Sequence, residues 1–327
     1  MLLKICSFIT RYFPFIIVLL SIVAYLTPHQ AIYLVGGVNY YIGIVMLAMG
    51  LTMSINDFKM VFSHPRMVVL AVCLRYVLMP VVALAVSKVL GLSPALAAGF
   101  ILVGCCPSAV ASNVMTFLSK GNTALSVTVS TCNTILSPFV TPFIFLLLAG
   151  SLVHVNAESM LFDISKIVLL PVALGVGLRV CAERFVKHVT PYLPALSTIQ
   201  LILIVMAGVA LNADRLADIG IISFVGVALH NGIGLGLGFL IARKVFRMAQ
   251  RDSQAVAFEV GMENTGLAVA LIIGHLDPIG AIPAAIFGLW HNVTGSVLAD
   301  FWASRSKAEQ PSSSVAPACP TAELTSR

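Results

Sequence analysis

The sequence predicts an all-helical protein that crosses a membrane many times. Of its residues, 59% are hydrophobic and only 10% are charged, whereas soluble domains average about 25% charged residues. Apolar segments of about 20 residues, the length needed to span a bilayer as a helix, follow one another along the chain. No long polar stretch interrupts them, so the sequence leaves no room for a sizeable soluble domain.

Ten apolar segments make up this pattern, and each is predicted to be one transmembrane helix. Their approximate bounds are 12–27, 32–53, 66–87, 94–118, 123–149, 164–182, 193–212, 219–242, 253–274 and 279–303. The first resembles a signal peptide, but no A-x-A cleavage site follows it, so we expect it to be retained. The segments form one transmembrane domain over 1–304, and the polar residues 305–327 are predicted to be a disordered tail.

Lysine and arginine residues predict the orientation of the segments. With the N-terminus inside, fifteen of them fall on the inner side, and only Lys88, Lys166 and Arg215 fall on the outer side. Because basic residues concentrate in cytoplasmic loops, both termini are expected in the cytoplasm. The basic residues form no helix face or aromatic-rich patch typical of nucleic-acid binding, so no nucleic-acid partner is expected.

The ten segments divide into two groups of five, about 12–149 and 164–303. Because five is odd, the groups would have opposite orientations, as in the inverted repeats of many secondary transporters. The fourth and ninth segments then correspond, and both contain helix breakers: Pro107 in GCCPSAVASN, and Gly261 and Gly266 in EVGMENTG. Paired interruptions at matching positions predict the location of a binding site.

Three charged residues, Arg75, Glu259 and Glu263, lie deep inside apolar segments. A charge at bilayer depth costs several kcal/mol unless it is paired or hydrated, and it therefore indicates a functional site. Both glutamates lie in the interrupted ninth segment. This combination predicts an ion and solute site midway through the membrane.

Residues with neutral oxygen atoms occur in the fourth and fifth segments and could join Glu259 in one site. Ser112 and Asn113 follow the break in the fourth segment, and Ser126 and Ser130 share one face of the next helix. Hydroxyl, amide and carboxylate oxygens suit a small hard cation, so they predict a sodium site. For each hydroxyl, the alternative is a hydrogen bond to its own helix or to a neighbouring helix.

The two breaks also predict the charge of the solute. Half-helices beginning near Val110 and near Asn264 would direct free N–H groups and positive dipole ends towards one place. Such a place suits a carboxylate. The predicted solute is therefore a small organic anion, and a cation entering with it would balance its charge.

Three segments carry a resemblance to a known family: GCCPSAVASNVMTFLSKGNTALSV, FEVGMENTGLA and LWHNVTGS. They closely resemble the bile acid:sodium symporter family, in particular its bacterial members, and the likeness extends to about Trp302. The resemblance implies a panel domain of segments 1, 2, 6 and 7 and a core domain of segments 3, 4, 5, 8, 9 and 10. It also implies that the broken segments 4 and 9 cross, with two sodium sites behind the crossing.

The resemblance also assigns roles to individual residues. The first sodium site would use Ser112, Asn113, Ser126, Ser130 and Glu259. The residues that would contact the solute are Val110, Ala111, Asn264, His291 and Asn292. For His291, the alternative role is packing between helices.

The second family sodium site is altered in this chain. It would use Glu259 and the backbone at Val260 and Met262, but its two glutamine positions are Arg75 and Glu263 here. Because arginine cannot ligate a cation, we hypothesise that the Arg75 guanidinium occupies the second sodium position, tethered by Glu263. Coupling would then involve one sodium ion, or a proton. The alternative is a structural ion pair beside two slightly altered sodium sites.

These observations together predict a secondary active transporter in a bacterial inner membrane. It would carry a small organic anion, similar to pantoate, ketopantoate or a bile acid, into the cytoplasm by sodium symport and alternating access. A proton-coupled or sodium-independent carrier is the alternative. An enzyme or a sensor is disfavoured, because the sequence shows no nucleophile or metal motif and no signalling domain. No cofactor besides the coupling ion, and no obligate protein partner, is expected.

Overall fold

A computed structural model of the chain describes residues 2–53 and 62–308. Within these ranges the regular structure is helical, apart from one isolated bridge. In chain order, the α-helices are α1 Leu2–Arg11, α2 Phe13–Leu26, α3 Pro28–Ala31, α4 Val38–Thr52, α5 Pro65–Val89, α6 Pro94–Cys105, α7 Ala111–Leu118, α8 Thr123–Ala149, α9 Ala157–Ile164, α10 Leu170–Cys181, α11 Glu183–Val189, α12 Leu193–Leu211, α13 Ala213–Leu240, α14 Gln250–Gly261, α15 Thr265–His275 and α16 Ala281–Ala308.

Among the described residues, seven helices are long and apolar enough to cross a membrane, or eight if the bent N-terminal pair counts as one span. That pair bends by 71°, because Pro14 in the first turn of α2 cannot continue the hydrogen bonding of α1. Two shorter apolar helices, Pro94–Cys105 and Thr265–His275, fall within the fourth and ninth predicted segments. The protein is therefore an all-helical polytopic membrane protein.

Several helices extend beyond the predicted apolar segments. The sixth segment is helical from Ala157, where the Asn156 side chain accepts a hydrogen bond from the Ser159 N–H and caps the helix. The last helix continues to Ala308, into the segment predicted as a disordered tail. Hydropathy finds the apolar part of a helix and misses its polar ends. The rest of the predicted tail lies outside the described residues.

Helix α4 packs on α10 and α12, and α12 also packs on α2, so these four helices form one group. The contact between α4 and α10 is close because Gly50 and Gly175 face each other. A Cβ added to Gly175 would lie 2.6 Å from the Leu47 carbonyl oxygen. Small residues let helix backbones approach in a membrane, so these glycines set the geometry of this group.

The remaining long helices form a second group, in which α5 contacts α6, α8, α13 and α14, and α16 contacts α6, α7 and α13. Phe100, Phe258 and Phe287 are fully buried in it. Arg75, in the middle of α5, is also fully buried. A guanidinium in such surroundings requires partners that neutralise it.

The two helix breaks meet inside the second group. Helix α6 ends at Cys105 and α7 begins at Ala111, whereas α14 ends at Gly261 and α15 begins at Thr265. Ser108 and Glu263 form an antiparallel bridge. The Ala109 N–H donates to the Met262 carbonyl at 3.0 Å, and the Asn264 N–H donates to the Pro107 carbonyl at 2.9 Å. Irregular backbone is tolerated at membrane depth when protein groups satisfy it in this way.

Candidate functional site

The carbonyl groups freed by the breaks are bound by side chains from other helices. The Thr141 hydroxyl donates to the Cys105 carbonyl, and the Asn231 amide donates to the Gly261 carbonyl, each at 2.8 Å. These bonds replace the intrahelical partners that the last carbonyls of a helix lack. The breaks are therefore held open by donors built into the surrounding helices.

The Glu259 carboxylate lies where three serine hydroxyls converge. Ser108 donates to its Oε2 at 2.6 Å, while Ser112 and Ser126 donate to its Oε1 at 2.5 and 2.6 Å. All four side chains are buried. An ionised carboxylate only accepts hydrogen bonds, so three hydroxyl donors suit its charged form.

Asn113 and Ser130 extend this cluster. Asn113 Oδ1 lies 2.8 Å from Ser126 Oγ, and Asn113 Nδ2 donates to Ser130 Oγ at 3.1 Å. The structure therefore brings the five predicted ligands of the first sodium site together. Ser130 is joined to Glu259 through Asn113 and Ser126.

The Glu259 cluster has fewer protons than its oxygen contacts need. Ser126 Oγ lies 2.6 Å from Glu259 Oε1 and 2.8 Å from Asn113 Oδ1, but a hydroxyl has only one proton to donate. With Glu259 ionised and the Asn113 amide in this orientation, one of the two oxygen pairs is in contact without a shared proton. A cation among these oxygens would remove that repulsion, and their number and type fit a small hard cation.

Two further polar residues belong to the cluster, although the sequence reasoning did not select them. Ser108 bridges Glu259 and Asn133, whose amide donates to the Ser108 hydroxyl at 3.2 Å. Asn133 Oδ1 is buried and has no hydrogen-bond partner among the described residues. Ser108 follows Pro107 directly, and Asn133 lies one turn after Ser130, so their positions in the sequence were the available signals.

Arg75 and Glu263 form a buried bidentate ion pair. Nη1 donates to Glu263 Oε1 at 2.9 Å, and Nη2 contacts Oε2. Both side chains are fully buried. Nη1 also donates to the Val260 carbonyl at 3.2 Å, and Nη2 donates to the Cys106 carbonyl. The guanidinium thus binds a carbonyl at the C-terminal end of each half-helix.

The two backbone positions of the altered second site have different conformations. Val260 lies in the last turn of α14, whereas Met262 is extended. The Val260 carbonyl is freed because the helix ends one residue later. The Met262 carbonyl already accepts the Ala109 N–H, so both carbonyls have protein donors.

Three of the predicted solute-side residues lie at the N-terminal ends of α7 and α15. Val110 is the residue before α7, and Ala111 is its first residue. Asn264 precedes α15, and its Oδ1 accepts the Leu267 N–H at 3.1 Å. Because the two breaks are hydrogen-bonded to each other, these helix ends are neighbours.

The other two predicted residues, His291 and Asn292, lie on α16. The His291 ring packs against Phe287, with centroids 5.5 Å apart, and its Nδ1 has no hydrogen-bond partner in the described part of the chain. The Asn292 amide donates to the Gly288 carbonyl of its own helix at 2.7 Å. No hydrogen bond recorded among the described residues joins either side chain to the breaks.

Residues 40–219 of the chain match the model of the sodium bile acid symporter family. The chain belongs to this family. It is 40% identical over 307 residues to the uncharacterized sodium-dependent transporter YocS of Bacillus subtilis (strain 168). The aligned residues cover 94% of this chain and 95% of YocS.

The chain is also similar to proteins from plant chloroplasts. It is 34% identical over 260 residues to the probable sodium/metabolite cotransporter BASS1 of Arabidopsis thaliana, covering 79% of this chain and 65% of BASS1. It is 32% identical over 304 residues to the probable cotransporter BASS2 of Oryza sativa subsp. japonica, covering 92% of this chain and 72% of BASS2. These relatives are named as transporters, so the chain is a membrane transport protein and not an enzyme.

Proposed function

We propose that this protein is a sodium-coupled symporter that carries a small organic anion into the cytoplasm across a bacterial inner membrane. The observation that supports the proposal most directly is the Glu259 cluster, in which buried oxygens from three helices converge at two helix breaks. The naming of YocS as a sodium-dependent transporter and of BASS1 as a probable sodium/metabolite cotransporter supports sodium as the coupling ion.

In this proposal, sodium binds among the oxygens of Ser112, Asn113, Ser126, Ser130 and Glu259. The shortage of protons between Ser126 and its two acceptor oxygens supports a cation at this place. Sodium would hold α7, α8 and α14 together, because these five residues lie on those three helices. Binding of the cation would thereby fix the geometry of both breaks.

The organic anion would bind at the N-terminal ends of α7 and α15. The positive dipole end of each helix favours a negative charge there. Val110, Ala111 and Asn264 lie at these ends. His291 and Asn292 stay predicted contacts from α16. Pantoate-like and 2-oxo acids are the preferred candidates, and bile acids are the second.

The proposed architecture has ten spans in two inverted repeats of five, with both termini cytoplasmic. The seven long helices and the bent N-terminal pair would provide eight spans. The broken pairs α6–α7 and α14–α15 would provide the fourth and ninth. The group formed by α2, α4, α10 and α12 would be the panel domain, against which the core domain moves during alternating access.

Uptake into proteoliposomes tests the proposed function. Radiolabelled pantoate, a 2-oxo acid and a bile acid are offered with an inward sodium gradient, and with potassium replacing sodium. We expect at least one anion to accumulate only with sodium, and Glu259→Gln to abolish that accumulation. Glu183→Gln, which changes an exposed carboxylate on α11, is the matched control. If the anion accumulates equally with sodium and with potassium, and its accumulation depends on a pH gradient, the carrier is proton-coupled.

A further inference from the structure

We propose that the Arg75 guanidinium is a built-in cation that occupies a second cation position at the crossing of the helix breaks, so that each chain binds only one mobile sodium ion. This inference rests on the proposed function and specifies the number of ions in it. It depends on three observations: the oxygens around the guanidinium, its burial, and the balance of charges near it.

The surroundings of Arg75 are those of a cation site. Four oxygens face its two terminal nitrogens: both carboxylate oxygens of Glu263 and the carbonyls of Val260 and Cys106. Two of them are at the C-terminal ends of α14 and α6, where the helix dipole is negative. Without the guanidinium, this set of carboxylate and carbonyl oxygens would suit a small metal cation.

The guanidinium occupies this place as a fully buried group. Arg75 and Glu263 are both fully buried, and the bidentate pairing uses both carboxylate oxygens of Glu263. Arginine keeps its proton in proteins, so its charge is permanent. A sodium ion could enter only by displacing a charged side chain that is fixed to two helix ends.

The charge balance also favours a single mobile ion. Among the described residues, the charged side chains at the crossing are Glu259, Glu263 and Arg75, whose charges leave one negative charge uncompensated. One sodium ion beside Glu259 neutralises it. A second sodium ion would lie beside the Arg75 guanidinium, which repels it in surroundings where charges interact strongly, and a variant without the guanidinium lacks this repulsion.

The position of Arg75 also gives it a mechanical role. Its side chain reaches from α5 to the ends of α6 and α14. A mobile ion at this place would bind and leave in each transport cycle, but the guanidinium stays. The contact between the two half-helix ends would therefore persist through the cycle, and only the Glu259 side would assemble and open with sodium.

Equilibrium binding of radioactive sodium to the purified full chain, without any organic anion, tests this inference. We expect one ion per wild-type chain and none for Glu259→Gln. The double variant Arg75→Gln/Glu263→Gln removes both charges and leaves oxygen-bearing side chains, so we expect it to bind two ions. The matched control is Glu183→Gln/Lys187→Gln, which removes an exposed ion pair of 2.8 Å and should still bind one.

Two ions bound to the wild-type chain would overturn the inference and leave sodium-coupled transport intact. A double variant that elutes as a monodisperse species and binds one ion with wild-type affinity would also overturn it, because the guanidinium would then not exclude a cation. No sodium bound to the wild-type chain would refute the proposed sodium site itself. The wild-type count does not depend on whether any variant folds.

Discussion

At the scale of single residues, the site is organised by buried charges and the groups that satisfy them. Glu259 has three hydroxyl donors, and Glu263 has the two terminal nitrogens of Arg75. The two carboxylates lie four residues apart but have different partners, because the helix ends between them. In the proposed mechanism, Glu259 holds an exchangeable cation, whereas Glu263 is bound to the permanent charge of Arg75.

Ser108 is expected to position the Glu259 carboxylate. Ser108→Ala removes the hydrogen bond to Oε2 and leaves the Asn133 amide without its acceptor. Such a loss costs about 1–3 kcal/mol, so we expect the sodium concentration for half-maximal uptake to rise about tenfold, and Ser108→Thr to restore it.

Ser87→Ala is the control for Ser108, because this buried hydroxyl donates only to its own helix, at the Ala83 carbonyl. Its sodium dependence should match the wild type. Equal sodium dependence of the Ser108→Ala and Ser87→Ala proteins would contradict the positioning role.

The ion pair predicts an order of stabilities. Arg75→Gln alone leaves Glu263 buried and unpaired, which costs about 3–5 kcal/mol. The double variant Arg75→Gln/Glu263→Gln avoids the unpaired charge, so its melting temperature in detergent should lie above that of either single variant. A double variant that melts below both single variants would show that an unpaired buried charge is not the main cause of the instability of the single variants.

At the scale of helices, the breaks depend on donors from helices that are not broken. Thr141 on α8 and Asn231 on α13 bind the carbonyls of Cys105 and Gly261. The Thr294 hydroxyl donates in turn to Asn231 Oδ1 at 2.7 Å. The interrupted segments therefore have a fixed shape, because each freed backbone group has a partner on a rigid neighbour.

Helix α10 provides a matched pair of glycines for a packing test. A Cβ on Gly175 would approach the Leu47 carbonyl oxygen at 2.6 Å, whereas a Cβ on Gly177 would meet nothing within 4 Å. We expect Gly175→Leu to force α4 and α10 apart and to lower the melting temperature below that of the wild type. Gly177→Leu on the same helix should leave the melting temperature unchanged, because only Gly175 lies in the contact between α4 and α10. Equal melting temperatures for the two variants would contradict this packing.

At the scale of the whole molecule, the charge pattern predicts the orientation in the membrane. Because most lysines and arginines fall on the inner side, a fluorescent protein fused after Arg327 should fluoresce in the cytoplasm, and alkaline phosphatase fused there should be inactive. A cysteine introduced at Arg215, an exposed position in the first turn of α13 on the predicted outer side, should react with a membrane-impermeant thiol reagent. The assay uses intact cells and a chain without its native cysteines. Active phosphatase at the C-terminus would contradict the predicted orientation of the chain.

The sequence by itself determined the class of the protein and predicted most of the residues that the candidate site brings together. Apolar segments of membrane length require helices, because the bilayer provides no hydrogen-bond partners for the backbone. Arg75, Glu259 and Glu263 stood out because charges are costly at that depth. The hydroxyls near Glu259 followed from their spacing along two neighbouring segments.

Only the tertiary structure decided which groups meet. The contacts of the Arg75 guanidinium with the Val260 and Cys106 carbonyls depend on helices far apart in the chain. The same is true of the contact between Ser108 and Asn133. A sequence records what each helix can offer, but the partner of a buried polar group is fixed by how the helices pack around it.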